Sequence, residues 1–493
     1  MTCKKNTYRI PTCLLLFIAV FSFLLAASAE TARNITDRCE FEVSAGKKRY
    51  LTDHKVNSYW GPWGVDSYMR VTLPAGESAG MLTLDWFEDP EDYVLAEYDA
   101  SGTIIRERTQ DDVFCCLKCA YPLDPATREI LLTIKSEGQK ISAANVYSAG
   151  EMPPEVEIWE PPYDKTDMMV VSTHQDDELL FLGGTIPYYD QVRGARVTVV
   201  YMADCSRLRR DEALNALWVM GMRHYPVFFN LEDKKLRDFD ATVALWGGAR
   251  HVVELLTEQI RRCKPEVIVT QDLDGEYGHN QHKVTARAML KAIEAAADPA
   301  YFKDSAEKYG TWQVKKLYHH LYKENQIQMD WKTPQAALGG ISPLDMARRG
   351  FDQHPSQHKR WHMEEGGPYD NSLFGLAFTT VGLDVVGGDM LENIPPEALS
   401  QSKETEAQPT EAPTPVPTPA PTPEPTPFIE AVETESTPAP TPAPYVETTP
   451  VQEHRGSRGG FWIALVLTAA LAGAGAFAFA RLAAPRRRRR RFR

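Results

Sequence analysis

Between residues 160 and 395, apolar runs alternate with stretches of helical spacing, and this alternation most constrains the fold. Met168–Ser172, Arg196–Met202, Pro226–Phe229 and Val267–Thr270 are short apolar runs rich in β-branched or aromatic residues, which predicts four strands. Between them, Arg209–Met220 places Ala213, Ala216, Leu217 and Met220 on one helical face, and His251–Cys263 does the same with Val252, Leu255, Leu256 and Ile260. Pro265 then ends the second helix, because its ring removes a backbone donor. Strand and helix in alternation mean a parallel sheet covered by helices. The expectation is an α/β fold with a Rossmann-like, doubly wound, mostly parallel sheet. Sheets of this kind bind ligands beyond the carboxyl ends of their strands.

Two chemically dense segments fall at those ends. Ser172-Thr-His174-Gln-Asp176-Asp177-Glu178 follows the first strand, and Tyr277-Gly-His279-Asn-Gln-His282 comes shortly after the fourth. A hydrolytic zinc site takes three protein ligands and keeps one position for water. His174 and one of the adjacent carboxylates supply two ligands from one turn, and His282 supplies a third. The other carboxylate then lies close enough to a water to act as its general base.

His-x-Asp-Asp-Glu after a first strand, with a later Tyr-Gly-His-x-x-His, resembles the PIG-L/LmbE family of zinc-dependent N-acetylglucosaminyl de-N-acetylases. Gly183-Gly184-Thr185 and Arg209-x-x-Glu212-x-x-x-Ala216 followed by Met220-Gly221 also match, and the resemblance covers residues 165–290 well. It implies that His174, Asp177 and His282 bind Zn2+ and that Asp176 is the general base. It places His279 at the scissile carbonyl, as oxyanion stabiliser or acid, with the Tyr277 hydroxyl beside it. Arg209 is implied to contact substrate, and Glu178 to orient its neighbours. The implied reaction removes acetyl from an N-acetylated sugar, glycolipid or cell-surface glycan and releases acetate. Two departures from the family pattern stand out. Gln175 replaces a proline, and His279-Asn-Gln281-His282 replaces His-Pro-Asp-His, so a residue that would support a charged His279 is a neutral amide. Ligand type does not exclude iron or another divalent ion.

Other readings fare less well. Asp272-Leu-Asp274-Gly-Glu276 begins like a calcium loop, but the sixth position is Tyr277 and the twelfth is Lys283. His319-His320 follow an apolar run and read as structural. His354 and His358 fit a pocket lining or a loop equally. A catalytically degenerate glycan-binding protein keeps the fold but leaves the intact His174, Asp176, Asp177 and His282 unexplained. Barrel-type polysaccharide deacetylases usually space their histidine pair one residue further apart. There is no P-loop.

Residues 30–155 carry short alternating runs at Tyr68–Leu73, Gly80–Trp86, Asp92–Tyr98 and Ile130–Lys135, separated by turn signals such as Pro74-Ala-Gly. That spacing predicts a small all-β sandwich preceding the α/β region. Trp60 to Ile105 resembles a discoidin-type, galactose-binding-like jelly roll, which implies carbohydrate binding. A spacer that packs on its neighbour is the alternative.

The remaining segments are compositionally distinct. Residues 1–29 carry Lys4, Lys5 and Arg9, an apolar core and Ala27-Ser-Ala29, the pattern of a secretory signal. Residues 401–456 are rich in Thr and Pro and cannot bury a core, so a disordered stalk is expected. Residues 460–481 hold the uncharged stretch Phe461–Ala480, long enough for a transmembrane helix, and residues 482–493 form an Arg-rich tail expected to be cytoplasmic. The expected location is therefore a single-pass cell membrane protein with the site extracellular. Net charge is −13, and setting aside the three basic residues of the signal and the eight from Arg481 onward leaves −24 for residues 30–480. Such an acidic surface argues against nucleic acid as a partner. Disulfide pairing is expected among Cys39, Cys115, Cys116 and Cys119, with Cys205 and Cys263 as buried thiols.

Overall fold

The computed structural model describes residues 30–61, 64–363 and 365–400. A seven-stranded sheet forms its α/β part. β9 (Met168–Ser172), β10 (Val197–Asp204), β11 (Val227–Glu232), β12 (Val267–Thr270) and β13 (Lys316–His320) run parallel, while β15 (Leu373–Thr379) pairs antiparallel with both β13 and β14 (Gln326–Gln328). The order across the sheet is β11-β10-β9-β12-β13-β15-β14. Successive crossovers therefore run one way from β9 to β11 and the other way from β12 onward, and the direction reverses between β9 and β12. All five residues of β9 and all four of β12 are buried, which is why these strands read as continuous apolar runs. Their side chains alternate between two cores. Met168, Val170, Val267 and Val269 join one, and Met169, Val171 and Ile268 join the other. The helices Arg207–Val219, Ala249–Cys263 and Asn280–Ala297 begin or end within two residues of the expected positions where a position was expected.

Residues 30–155 fold into two antiparallel sheets, five-stranded in the order β1-β2-β7-β4-β5 and three-stranded in the order β6-β3-β8. The four expected strands are β2 (Tyr68–Thr72), β3 (Ala79–Trp86), β4 (Tyr93–Tyr98) and β7 (Glu129–Ile134). The others are β1 (Glu40–Val43), β5 (Ile104–Thr109), β6 (Lys118–Pro122) and β8 (Ile141–Ser148). β5 escaped the pattern because it is an edge strand with exposed or half-buried side chains throughout. Inward residues of both sheets, among them Trp60, Met69, Leu84, Trp86, Leu95, Leu132 and Val146, share one core.

Two expectations are corrected. Single-pass membrane anchoring is not supported, because no helix among the described residues is long and apolar enough to cross a membrane. The stretches on which that location rested, residues 1–29 and 401–493, lie outside the described residues. The expected disulfides are also absent. Cys39, Cys115, Cys116, Cys119, Cys205 and Cys263 are all free thiols. The Cys119 Sγ–H instead donates to the Cys116 carbonyl at 3.0 Å, and Cys39 Sγ–H donates to Ile35 at 3.4 Å.

Candidate metal centre

The reversal between β9 and β12 brings the two chemical segments together. The strands pair directly, Val171 opposite Thr270, so both chains leave the sheet side by side. After β9, the Ser172 hydroxyl donates to the His174 carbonyl at 2.8 Å and tightens the turn. Asp176 closes it with φ at 136°, a left-handed conformation that costs a non-glycine residue of order 1–3 kcal/mol. Asp177 then opens a short helix, Asp177–Leu180. After β12, Gly275 has φ at 66°, and any Cβ there would lie 2.4 Å from the His279 carbonyl oxygen, so only glycine fits. Tyr277, at φ 43°, is a second left-handed residue in the site. His282 lies in the first turn of Asn280–Ala297.

Three donors converge at this point. Asp177 Oδ2 is 2.9 Å from His174 Nδ1 and 3.2 Å from His282 Nε2, and the two nitrogens are 3.1 Å apart. Ligands about 2.0–2.1 Å from a tetrahedral zinc lie roughly 3.3 Å from one another. The triangle is thus nearly the size a divalent metal requires. A ligand atom of His279 also comes within 4.8 Å of such atoms on His174 and His282.

Neighbouring groups set the tautomers. The Gln281 amide nitrogen donates to the Glu232 carbonyl at 3.0 Å, which turns its oxygen toward His174 Nε2, also at 3.0 Å. An amide oxygen only accepts, so His174 Nε2 carries a proton, and Nδ1 is the ring atom turned toward the triangle. On the other side, Glu276 Oε2 lies 2.7 Å from His282 Nδ1, leaving Nε2 to face the triangle. Glu276 Oε1 accepts from His320 Nδ1 at 2.7 Å and from the Asp272 amide at 3.1 Å. His320 Nε2 donates in turn to the Asp370 carbonyl at 3.1 Å. A carboxylate behind a ligating histidine fixes its ring and raises its basicity.

The adjacent carboxylates are driven apart. Burial pushes Asp176 well above the usual carboxylate range, although Arg209 Nη2 lies 2.8 Å from its Oδ1 and opposes the shift. Asp177 is equally buried, yet His282 and His174 hold it well below that range. The two neighbours are thus pushed in opposite directions, the pattern that separates an acid–base group from a fixed charge. Burial raises Glu178 to about 7, where it accepts from the Tyr201 hydroxyl at 2.7 Å and from the Asp176 amide at 3.0 Å. Burial pushes Glu276 up, but the hydrogen bonds and charge of His282 and His320 outweigh it and take the carboxyl down to about 2. Against the cost of burial, Asp177 and Glu276 raise His282 to about 10. Burial together with His282 and His174 lowers His279 to about 3.

Every expected site residue except Arg209 lines or adjoins the triangle. The Tyr277 ring centroid is 5.5 Å from those of His279 and His282. Arg209 meets the site through Asp176 and through the Gln175 carbonyl, 3.0 Å from its Nε. Gln281, read as bearing on His279, instead contacts His174. Sequence reasoning missed Glu276 and His320 as partners of a ligand. Glu276 was visible only inside the discarded calcium-loop pattern, and its six-residue spacing to His282 was the available signal. Trp361 had no signal, since its packing against Tyr277, at 5.0 Å between ring centroids, joins distant loops.

Residues 169–293 match the family model described as PIG-L: GlcNAc-PI de-N-acetylase. The chain is 38% identical over 205 residues to a 1D-myo-inositol 2-acetamido-2-deoxy-alpha-D-glucopyranoside deacetylase from Geodermatophilus obscurus, covering 36% of this chain and 68% of that protein. It is 46% identical over 214 residues to a protein of the same description from Streptomyces griseus subsp. griseus, covering 36% of this chain and 64% of that protein.

Proposed function

Because this chain belongs to the PIG-L family of GlcNAc-PI de-N-acetylases, we propose that it hydrolyses the N-acetyl group of an N-acetylglucosamine-containing glycan or glycolipid, releasing acetate and a free amine. The observation that carries this reading is the triangle of His174 Nδ1, Asp177 Oδ2 and His282 Nε2, with Asp176 beside it. These residues would hold Zn2+ or another divalent ion, which supplies Lewis acidity toward water and the acetyl carbonyl. Gln281 and Glu276 leave the facing nitrogens of both histidines free to donate.

Asp176 takes a proton from the attacking water and delivers it to the nitrogen as the C–N bond breaks. Its raised affinity for the proton suits the interval between those events. Arg209 aims the carboxylate and keeps its charge compensated before the proton arrives. His279, held neutral at about 3, offers Nδ1, a buried atom with no hydrogen-bond partner among the described residues, to the developing oxyanion. The half-buried Tyr277 hydroxyl serves the same oxygen. Trp361, packed on Tyr277, forms an apolar wall for a pyranose ring.

The test is acetate release by the purified chain over a panel of N-acetylated sugars and glycolipids, with and without chelator. Release that chelation abolishes supports the reading. No release from any N-acetylglucosamine substrate by metal-loaded protein refutes it.

A further inference from the structure

The helix Arg207–Val219 has two working faces. Arg207, Asp211, Asn215 and Trp218 recur every three or four residues and form one stripe, while Arg209 lies about half a turn away. The stripe meets the N-terminal β sheets and the segment that follows them. Arg207 Nε donates to the Trp86 carbonyl at the end of β3, at 3.0 Å. Lys118, on β6, donates from Nζ to Asn215 Oδ1 at 2.6 Å and pairs with Asp211 Oδ1 at 3.2 Å. The same ammonium pairs with Glu157 at 2.5 Å, and the Trp159 indole, whose N–H donates to Glu157, packs on Trp218 with centroids 5.3 Å apart. Arg207 and Asp211 are both buried, so these contacts are shielded from solvent. On the opposite face, Arg209 pairs with Asp176 at 2.8 Å.

Buried charge gripped at one end of a rigid helix, with catalytic charge at the other side of the same turn, is costly to maintain unless both ends are satisfied. We propose that Lys118 is a positioning residue of the hydrolase: the N-terminal β sheets hold the helix Arg207–Val219 in register, and the helix presents Arg209 to Asp176. The β sheets are then part of the catalytic apparatus. This proposal rests on the de-N-acetylase reading for its kinetic arm only.

The experiment compares full-length Lys118→Met, Lys118→Arg and Lys140→Met. Lys140 belongs to the same β region, but its ammonium pairs with exposed Glu88 and lies over the Tyr59 and Phe87 rings. Lys118→Met lowers kcat roughly 10- to 100-fold with KM and bound metal unchanged, the scale of a misplaced catalytic group. Lys118→Arg restores most of the rate, and Lys140→Met changes nothing. Amide hydrogen exchange supplies an arm independent of activity. In Lys118→Met, exchange quickens at residues 175–180 and 207–212 but not at β9 or β12. Unchanged exchange at residues 175–180 overturns the proposal whatever the kinetics show. If wild-type protein releases no acetate but the exchange pattern appears, the clasp stands and the function assignment falls.

Discussion

The side-chain oxygen of Gln281 lies 3.0 Å from His174 Nε2, on the ring edge opposite the nitrogen that faces Asp177 and His282. A neutral amide here selects the tautomer without adding charge to the imidazole. Gln281→Ala frees the ring to flip, and outer-shell losses of this kind weaken metal binding about 10- to 100-fold. Competition with a chromophoric chelator measures the change, and wild-type affinity in the variant would show that the amide does not orient His174.

Asp176→Asn removes the proton acceptor but keeps the side chain's shape. Turnover is expected to fall by about 10²- to 10⁴-fold. Metal content stays near wild type because the triangle is built from His174, Asp177 and His282. Acetate release and metal analysis on the same preparation check both parts. Activity within a few-fold of wild type contradicts the assignment of Asp176.

Asp85 faces Lys118, Asp211, Arg207 and Glu157, and burial pushes its carboxyl from 3.8 up to about 6. The folded chain keeps a proton that the unfolded chain has already lost, so this group makes stability fall as pH rises from about 4 to about 6. Asp85→Asn removes that slope, so the variant melts higher than wild type at about pH 7 and alike at about pH 4. Thermal melts across the interval decide the matter. Equal melting temperatures at neutral pH would mean the carboxyl is not burdened by burial.

Much of this arrangement could be read from residues alone, for identifiable reasons. β9 and β12 are buried on both faces and so appear as unbroken apolar runs, and the candidate carboxylates and histidines come in the segments that leave them. β13 was missed because it ends in His319 and His320, which look polar but are fully buried against the Gln271 carbonyl and Glu276. The support given by Glu276 to His282 lay hidden for the same reason, since polar pairing carries no periodicity. Gln281 was noticed, yet only the third dimension reveals which histidine it serves.

Gly184 lies within the Gly183-Gly184-Thr185 motif, and a Cβ there would stand 2.8 Å from Pro343 Cβ and 3.0 Å from the Trp331 ring. Its φ of −77° is open to any residue, so the constraint is close packing. Gly184→Ala is expected to cost about 1–3 kcal/mol. Denaturant unfolding with an unchanged midpoint would show that Pro343 and Trp331 yield freely.

With Cys39, Cys115, Cys116 and Cys119 all free, reducing agent should leave the melting temperature unaltered. A disulfide would contribute about 2–4 kcal/mol. A clear drop on reduction would therefore reveal a bond among these cysteines.

His174 and His282 stand 108 positions apart in the chain but 3.1 Å apart in space. Parallel pairing of β9 with β12 must come first, and such distant pairings form slowly. The donor triangle is consequently a product of the finished sheet and not a nucleus for it. This inverts the order seen in zinc fingers, where the ion creates the fold. A chain stripped of metal should remain assembled, able to lose and regain the ion many times without passing through an unfolded state.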